Sequence, residues 1–309
     1  MKGLVRKSTG SWYDLIGEDG KAYRGRVRGK LRLGDIKSTN PIAVGDEVVF
    51  EKEPSADEDD LALISEILPR RNYIIRKSNN LSKQTQVIAA NLDLAVLVVT
   101  LATPATSLGF IDRFLVTAEA YHIPALLVFN KIDVYGEEEC ALLQEYERIY
   151  DSIGYECLQV SATRGTQMNL LKEKLSQKTS LFSGHSGVGK STLLNFLDPH
   201  IERKTGSISH YSNKGKHTTT FAEMFLTDWD ARLIDTPGIK DFGVVNLEKQ
   251  ELSHYFPEMR ERLQQCKFNN CLHTEEPGCA ILQAVESGEI EPSRYYSYLS
   301  ILNNEDIHH

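Results

Sequence analysis

Up to about residue 70 the chain groups its apolar positions into short, strand-like stretches separated by glycine and polar residues. Lys2–Lys7, Trp12–Ile16, Lys21–Val27, Val48–Lys52 and Ala62–Ile67 are rich in β-branched, aromatic and other apolar residues over strand-like lengths and read as strands. Short strands of this kind, joined by turns, predict a small all-β barrel over residues 1–70. Pro54–Asp60 reads as an acidic, solvated turn and Pro69–Asn80 as a basic connector that closes this domain. From Leu92 the pattern changes. Apolar runs at Leu92–Thr100, Ala125–Phe129, Cys157–Val160 and Thr179–Ser183 alternate with helical periodicity near Ile111–His122, Glu137–Asp151, Met168–Ser176 and from Lys190 onward. Strands near Phe221–Leu226 and Ala231–Asp235 follow. Continuous apolar runs mark strands covered on both faces, so residues 71–245 predict a largely parallel sheet wrapped by helices. After Gly238 the strands stop, and residues 246–309 predict a small helical domain. The expected fold class is therefore multi-domain α/β.

Composition narrows this picture without redirecting it. Of 309 residues, 41% are hydrophobic and 25% charged, which excludes collagen-like and wholly disordered chains. The longest apolar run, Leu92–Ala102, contains Asp93 and falls short of the roughly 18 residues a membrane span needs. No apolar stretch follows Lys2, Arg6 and Lys7, so a cytoplasmic protein with no membrane partner is expected. A net charge of -8 argues against an overall basic coat, but the charge is unevenly placed. Arg24, Arg26, Arg28, Lys30 and Arg32 recur at every second position and would share one face of a strand. Such a stripe is either a solvated face or, on a barrel, a nucleic-acid surface, with Trp12 and Tyr23 as candidates for stacking on bases.

The chemistry sits at the ends of the apolar strands. Gly184-His185-Ser186-Gly187-Val188-Gly189-Lys190-Ser191 matches the phosphate-binding loop, Gly-x4-Gly-Lys-Ser, between a predicted strand and a predicted helix. Its backbone N–H groups would surround the phosphates, Lys190 would meet the β- and γ-phosphates, Ser191 would ligate Mg2+, and Thr192 completes the set. Asn130-Lys131-Ile132-Asp133 follows another strand and matches the guanine motif of GTPases. Its Asp133 carboxylate can accept both adjacent donors of guanine, a pair adenine lacks. Taken alone, Asp133 is equally compatible with capping the helix that follows. Ser161-Ala162 resembles the companion motif that supports the base. Asp235-Thr236-Pro237-Gly238 matches Asp-x-x-Gly, with Asp235 on Mg2+ and the Gly238 amide at the γ-phosphate. Between it and the phosphate loop, Gly215-Lys216-His217-Thr218-Thr219-Thr220 offers Thr218 and Thr219 as a second hydroxyl ligand of Mg2+. The polar stretch His200–Lys216 has the composition of a switch loop.

Ordinary GTPases place the phosphate loop first, whereas here the guanine motif precedes it. That order defines a circularly permuted P-loop GTPase domain, in which the same site is assembled from a re-cut chain. Near the C-terminus, Cys266, Cys271, His273 and Cys279 offer three thiolates and an imidazole, a set suited to closed, tetrahedral structural zinc. The spacing departs from a Cys-x2-Cys finger, so buried free thiols are the alternative. Cys140 and Cys157 read as packing residues, and His254, near the cluster, as an ordinary surface or core histidine.

Permuted order, an N-terminal barrel, Gly-Lys-His-Thr-Thr-Thr and Cys-x4-Cys-x-His-x5-Cys together resemble the RsgA family, also called YjeQ or YloQ, the small-ribosomal-subunit-dependent GTPases. The resemblance spans essentially the whole chain. It implies an OB-fold barrel, a permuted GTPase domain and a helical zinc domain at residues 1–70, 71–245 and 246–309. It further implies one structural Zn2+, Mg2+ bound with GTP, and action in late maturation of the bacterial small ribosomal subunit. The partners expected are that subunit and its rRNA, met by the Arg24–Arg32 stripe of a monomer. Ras-like proteins orient the attacking water with a Gln after Asp-x-x-Gly, but here Ile239 follows, so slow intrinsic hydrolysis is expected. His217 is the nearest polar substitute, and the resemblance implies a catalytic role for it; the alternative is a histidine that only packs in the loop. Two other function classes fit less well: an RNA-binding module whose nucleotide site is a slow affinity switch, and a signalling switch with protein partners.

Overall fold

The short N-terminal strands close into a barrel. In the computed structural model, which describes residues 1–28, 41–53, 61–77, 85–201, 222–236 and 248–303, the first strands are β1 (Lys2–Ser8), β2 (Tyr13–Gly17), β3 (Ala22–Val27), β4 (Glu47–Lys52) and β5 (Leu61–Ile67). β1 pairs antiparallel with β2, β2 with β3, and β4 with β5, while β3 runs parallel to β5. Pairing of β1 with β4 closes the ring, giving the five-stranded arrangement of an OB-like barrel. Val5, Tyr13, Leu15, Tyr23, Val48, Phe50 and Ile64 fill it. Tyr23 is therefore a core residue, its ring 5.0 Å from Phe50 and its hydroxyl donating to Asp19 at 2.7 Å. The expectation that it stacks on bases is corrected by the same alternation that exposes its neighbour Arg24.

Pro69–Asn80 is more than a connector. It contains β6 (Tyr73–Lys77), which forms an antiparallel hairpin with β7 (Thr85–Ala90). Arg70, just ahead of it, grips the fully buried Asp46 through Nε (2.6 Å) and Nη2 (2.7 Å) and donates to the Pro41 carbonyl. A bidentate guanidinium–carboxylate pair fixes direction as well as distance.

The chain divides into two compact units. The first, residues 1–96, 168–183 and 190–241, adds to the barrel the strands β11 (Thr179–Ser183), β12 (Glu223–Leu226) and β13 (Arg232–Asp235). β11 runs parallel to β13 and β12 antiparallel to it. β12 meets β1 at Lys7 and Glu223, which form a 2.9 Å ion pair. α3 (Met168–Leu175) and α4 (Lys190–Leu197) belong here and bury Leu171, Leu175, Leu193, Leu194 and Leu197. β8 (Leu94–Val99), buried at all of its positions, runs across the division.

The second unit, residues 97–167, 184–189 and 242–309, holds α1 (Leu108–Ala120), β9 (Ala125–Phe129), α2 (Glu137–Ser152) and β10 (Glu156–Gln159), with β10 parallel to β9. Ser107 caps α1, and three glutamates open α2, where negative charge suits the helix dipole. The C-terminal part carries α5 (Pro257–Arg260), α6 (Ala280–Glu286) and α7 (Pro292–Leu302). Its core of Phe256, Met259, Ile281, Tyr298 and Ile301 includes Val116 from α1. At this junction Arg294, 1% exposed, donates to Asp112 of α1 (2.6 Å) and to both oxygens of Glu258 (2.8 and 3.3 Å). Tyr150 of α2 adds a hydroxyl to Asp112 at 2.8 Å. Burial pushes the Asp112 carboxyl up while Arg294 pulls it down. Among the described residues no helix is long and apolar enough to cross a membrane.

Candidate functional site

The expected guanine-reading residues come together in the second unit. β9 ends at Phe129, and the next residue, Asn130, is 2% exposed. Its amide donates to the Val188 carbonyl at 2.9 Å, and its oxygen accepts from the Ala162 amide at 3.2 Å. One side chain thus joins the phosphate loop to the Ser161-Ala162 turn. Lys131 adopts a left-handed backbone, φ 67°, and extends its ammonium to the Thr103 carbonyl, 2.7 Å away. The carboxylate of Asp133 is exposed, and accepts from Ser161 Oγ at 2.5 Å and Thr163 Oγ1 at 3.1 Å. The Ser161 hydroxyl, foremost, holds its carboxyl below the ordinary carboxylate range, with the Thr163 hydroxyl adding to the effect. Asp133 is not the cap of α2; the N-cap of that helix is Gly136, whose amide is taken by Glu139 at 2.9 Å.

Two supports here belong to no sequence motif. Tyr135 accepts from the Leu101 amide and donates to the Asn130 carbonyl, with burial pushing its hydroxyl up to about 12. Thr163 lies beyond the recognised Ser-Ala pair, and a hydroxyl two places after Ser161 was its only sequence signal.

Glycine is obligatory at two points of the loop. Gly184 has φ +148°, and a Cβ there would stand 2.6 Å from the Val98 carbonyl oxygen. Gly189 has φ +89°, with a Cβ 2.5 Å from Asn130 Nδ2. His185 lies against Phe110 of α1, ring centroids 3.8 Å apart, while Val188 is buried and Ser186 and Gly187 are open to solvent.

In the first unit, Lys190 opens α4 and points at the end of β13. Its ammonium donates to the Thr236 carbonyl at 3.0 Å and lies 3.3 Å from Asp235 Oδ1. That oxygen is buried and has no aligned hydrogen-bond donor, which leaves it available to a ligand. Thr236 is pinned by its hydroxyl to the Phe182 carbonyl of β11, 2.8 Å away. Ser191 and Thr192, next on α4, are exposed. His217, Thr218, Thr219 and Gly238 lie outside the described residues.

The four C-terminal candidates converge. One donor atom from each of Cys266, Cys271, His273 and Cys279 fits within a mutual separation of 4.8 Å. His273 Nδ1 lies 3.3 Å from Cys279 Sγ and 3.7 Å from Cys266 Sγ. Three sulfurs and one imidazole, all buried but the half-buried Cys266, fit a structural Zn2+ and leave no open position for chemistry. Without metal, burial pushes the Cys271 thiol up to about 12 and the His273 imidazole down. Glu276 organises the turn between ligands by accepting from the amides of Leu272, Thr274 and Glu275. Burial alone would raise its carboxyl; these amides hold it at about 2. Tyr295 and Tyr298 donate to the carbonyls of His273 and Leu272.

On the barrel, Arg24, Arg26 and Arg28 all face outward, as alternation requires; Lys30 and Arg32 lie outside the described residues. The face is less basic than the sequence suggested, because Arg26 pairs with Glu53 and Arg28 with Glu51. The Arg24 guanidinium stacks over Trp12 at 4.6 Å.

An OB-like barrel, a nucleotide-binding core in permuted order and a Cys3His helical domain define a circularly permuted GTPase. The RsgA GTPase family model matches residues 67–245 and the RsgA N-terminal domain model residues 2–58. The chain belongs to the RsgA family. It is 55% identical to the small ribosomal subunit biogenesis GTPase RsgA of Christiangramia forsetii, covering 99% of this chain and 97% of that one. Identity to RsgA 2 of Bacteroides thetaiotaomicron is 52% over the same shares. Among solved structures, YjeQ from Thermotoga maritima superposes with a TM-score of 0.78 at 34% identity, covering 98% of this chain and 97% of that one. YloQ, a circularly permuted GTPase, gives 0.73 at 31%, covering 98% and 94%.

Proposed function

We propose that the protein is a GTPase of late small-ribosomal-subunit maturation, which docks on the subunit with GTP, hydrolyses it there and then leaves. It works in the cytoplasm as a monomer, with a barrel at residues 1–70, a GTPase domain at 71–245 and a zinc domain at 246–309. What carries the assignment is Asp133: a carboxylate with no capping duty, held at the end of β9 by two hydroxyls, in a chain that matches named biogenesis GTPases from end to end.

Asp133 accepts the ring N–H and exocyclic amine of guanine. Asn130 braces the base loop against the phosphate loop, Lys131 lines the base, and Ser161 and Ala162 complete the cradle. Backbone amides of Gly184, His185, Ser186, Gly187, Val188 and Gly189 face the phosphates, with Lys190 as their cation and Thr192 beside it. Ser191 and Asp235, with Thr218 or Thr219, hold the Mg2+ that accompanies GTP, and the Gly238 amide reads the γ-phosphate. Magnesium there neutralises charge developing on the phosphate oxygens. In the absence of a Gln after Gly238, His217 orients the attacking water. Cys266, Cys271, His273 and Cys279 hold zinc as a structural clamp. Arg24, Arg26, Arg28, Lys30 and Arg32 meet rRNA phosphates, an interaction that weakens with salt.

The deciding experiment is steady-state GTP hydrolysis by the protein alone and with small ribosomal subunits, with ATP as control. Slow GTP-specific turnover, strongly stimulated by the subunit, is expected. Guanine-specific binding without stimulation would favour an affinity switch instead and remove the basis for His217. His217→Ala should lower stimulated turnover far more than GTP affinity; equal losses would give it a binding role.

A further inference from the structure

Thr163 belongs to none of the nucleotide motifs, yet its hydroxyl lies 3.1 Å from Asp133 Oδ2 while Ser161 occupies Oδ1. Each carboxylate oxygen thus has its own hydroxyl donor. Ser161 cannot serve both oxygens. Its single proton goes to Oδ1, and its oxygen accepts from the Arg164 amide at 3.1 Å and lies 3.1 Å from Thr163 Oγ1, so the Thr163 proton serves Oδ2 and the Ser161 oxygen at equal distance. A carboxylate offers about four lone-pair sites; the two hydroxyls engage both oxygens, the residue's own amide adds to them, and the outward side stays open to further donors. Rotation of the carboxylate about its Cβ–Cγ bond would break at least one of these hydrogen bonds. The turn presenting Thr163 is itself fixed, by the Ala162 amide on Asn130 and by paired backbone bonds between Ser161 and Thr166. An acceptor pair held in one plane is what two adjacent donors on a purine edge require.

We infer that Thr163 is a positioning residue for base selection, its hydroxyl holding the Asp133 carboxylate in the plane that receives both guanine donors. The inference rests on the assignment of Asp133 as the base receptor. Hypoxanthine keeps the ring N–H but lacks the exocyclic amine, so it engages one oxygen and tolerates a rotated carboxylate. Loss of the Thr163 hydroxyl should therefore weaken guanine recognition more than hypoxanthine recognition.

The test is to measure GDP and IDP affinity for the full chain and for Thr163→Val, Thr163→Ser, Asp133→Ala and the Asp133→Ala/Thr163→Val double variant. Thr163→Val should weaken GDP binding about fivefold to tenfold, the lower end for a hydrogen bond to a charge at an exposed position, and IDP binding less than about twofold. Thr163→Ser should restore GDP affinity. On the Asp133→Ala background the valine should add nothing. With small subunits present, Thr163→Val should raise KM for GTP and leave kcat unchanged. Equal losses for GDP and IDP, no rescue by serine, or the same loss on the Asp133→Ala background would overturn the role. If Asp133→Ala alone binds GDP as well as the parent, the base-receptor assignment itself fails, a result separate from any behaviour of Thr163.

Discussion

Asn130 does more for the site than its place in a recognition motif suggests. Both of its side-chain hydrogen bonds are buried, one to the phosphate loop and one to the Ser161-Ala162 turn. Asn130→Ala leaves the Val188 carbonyl and the Ala162 amide without these partners, at about 1–3 kcal/mol for each buried group. Loss of GDP affinity by at least about tenfold is expected, read by titration against Lys131→Ala, whose contact is exposed and whose loss should be smaller. Gly184→Ala should abolish nucleotide binding, because its Cβ would meet backbone at Val98 that cannot retreat as a flexible side chain would. Acid should affect the base site late. Hydroxyl donors lower the Asp133 carboxyl, so its charged form persists below the ordinary range and is lost only as pH falls through that lowered value. The preference for GDP over IDP, whose phosphates titrate alike, should stay flat from about pH 7 to 5; a decline in that preference beginning near pH 6 would mean that some group other than Asp133 governs base selection. At this scale the grouping of Asn130, Asp133, Ser161 and Ala162 was legible, because phosphate and guanine chemistry demand fixed residue types at fixed spacing. Thr163 and Tyr135 were not, since a hydroxyl acquires a role only when the fold brings an acceptor to it.

Among the elements, the zinc turn and the α1–α7 junction carry the sharpest expectations. Arg294 sits between two carboxylates in the interior. Arg294→Met would strand Asp112 and Glu258 and should destabilise the second unit by about 3–5 kcal/mol. A three-residue replacement with apolar side chains should cost much less, since the pair's desolvation penalty disappears with it; chemical denaturation of both variants distinguishes these outcomes. Chelating zinc should expose residues 248–303 to protease while the barrel stays resistant, for the C-terminal core is small and its ligands Cys271 and Cys279 are part of it. Most strands and helices were readable from periodicity, to within a residue or two at their ends. The β6–β7 hairpin was not: Tyr73–Lys77 ends in two bases that resemble a linker, and Thr85–Ala90 runs on toward the apolar stretch at Leu92. Only cross-strand pairing makes either of them a strand.

For the molecule as a whole, the barrel's arginines are already partly engaged. Arg26 and Arg28 face Glu53 and Glu51, so the RNA-phosphate binding proposed for this face would compete with an acid already in place. Neutralising both acids, Glu51→Gln with Glu53→Gln, should tighten retention on small subunits. Reversing Arg24, Arg26 and Arg28 to Glu should weaken retention, flatten its salt dependence and leave GDP affinity unchanged, all measured by co-sedimentation across a salt series. The stripe itself was legible as a period of two, but its counter-charges were not, because they come from another strand.

Permutation also has a consequence in time. The chain leaves the ribosome from its N-terminus, so Asn130 is made before the phosphate loop, and Lys190 follows it by 60 residues. At about 5–20 residues per second, that gap lasts roughly 3–12 s. During it the nascent chain carries the proposed base-reading residues but no phosphate loop, the reverse of an unpermuted GTPase at the same stage. The nucleotide therefore cannot template early folding from its phosphate end: Asn130 is held in part by the Val188 carbonyl of the later loop, so the base pocket is complete only once that loop has been made.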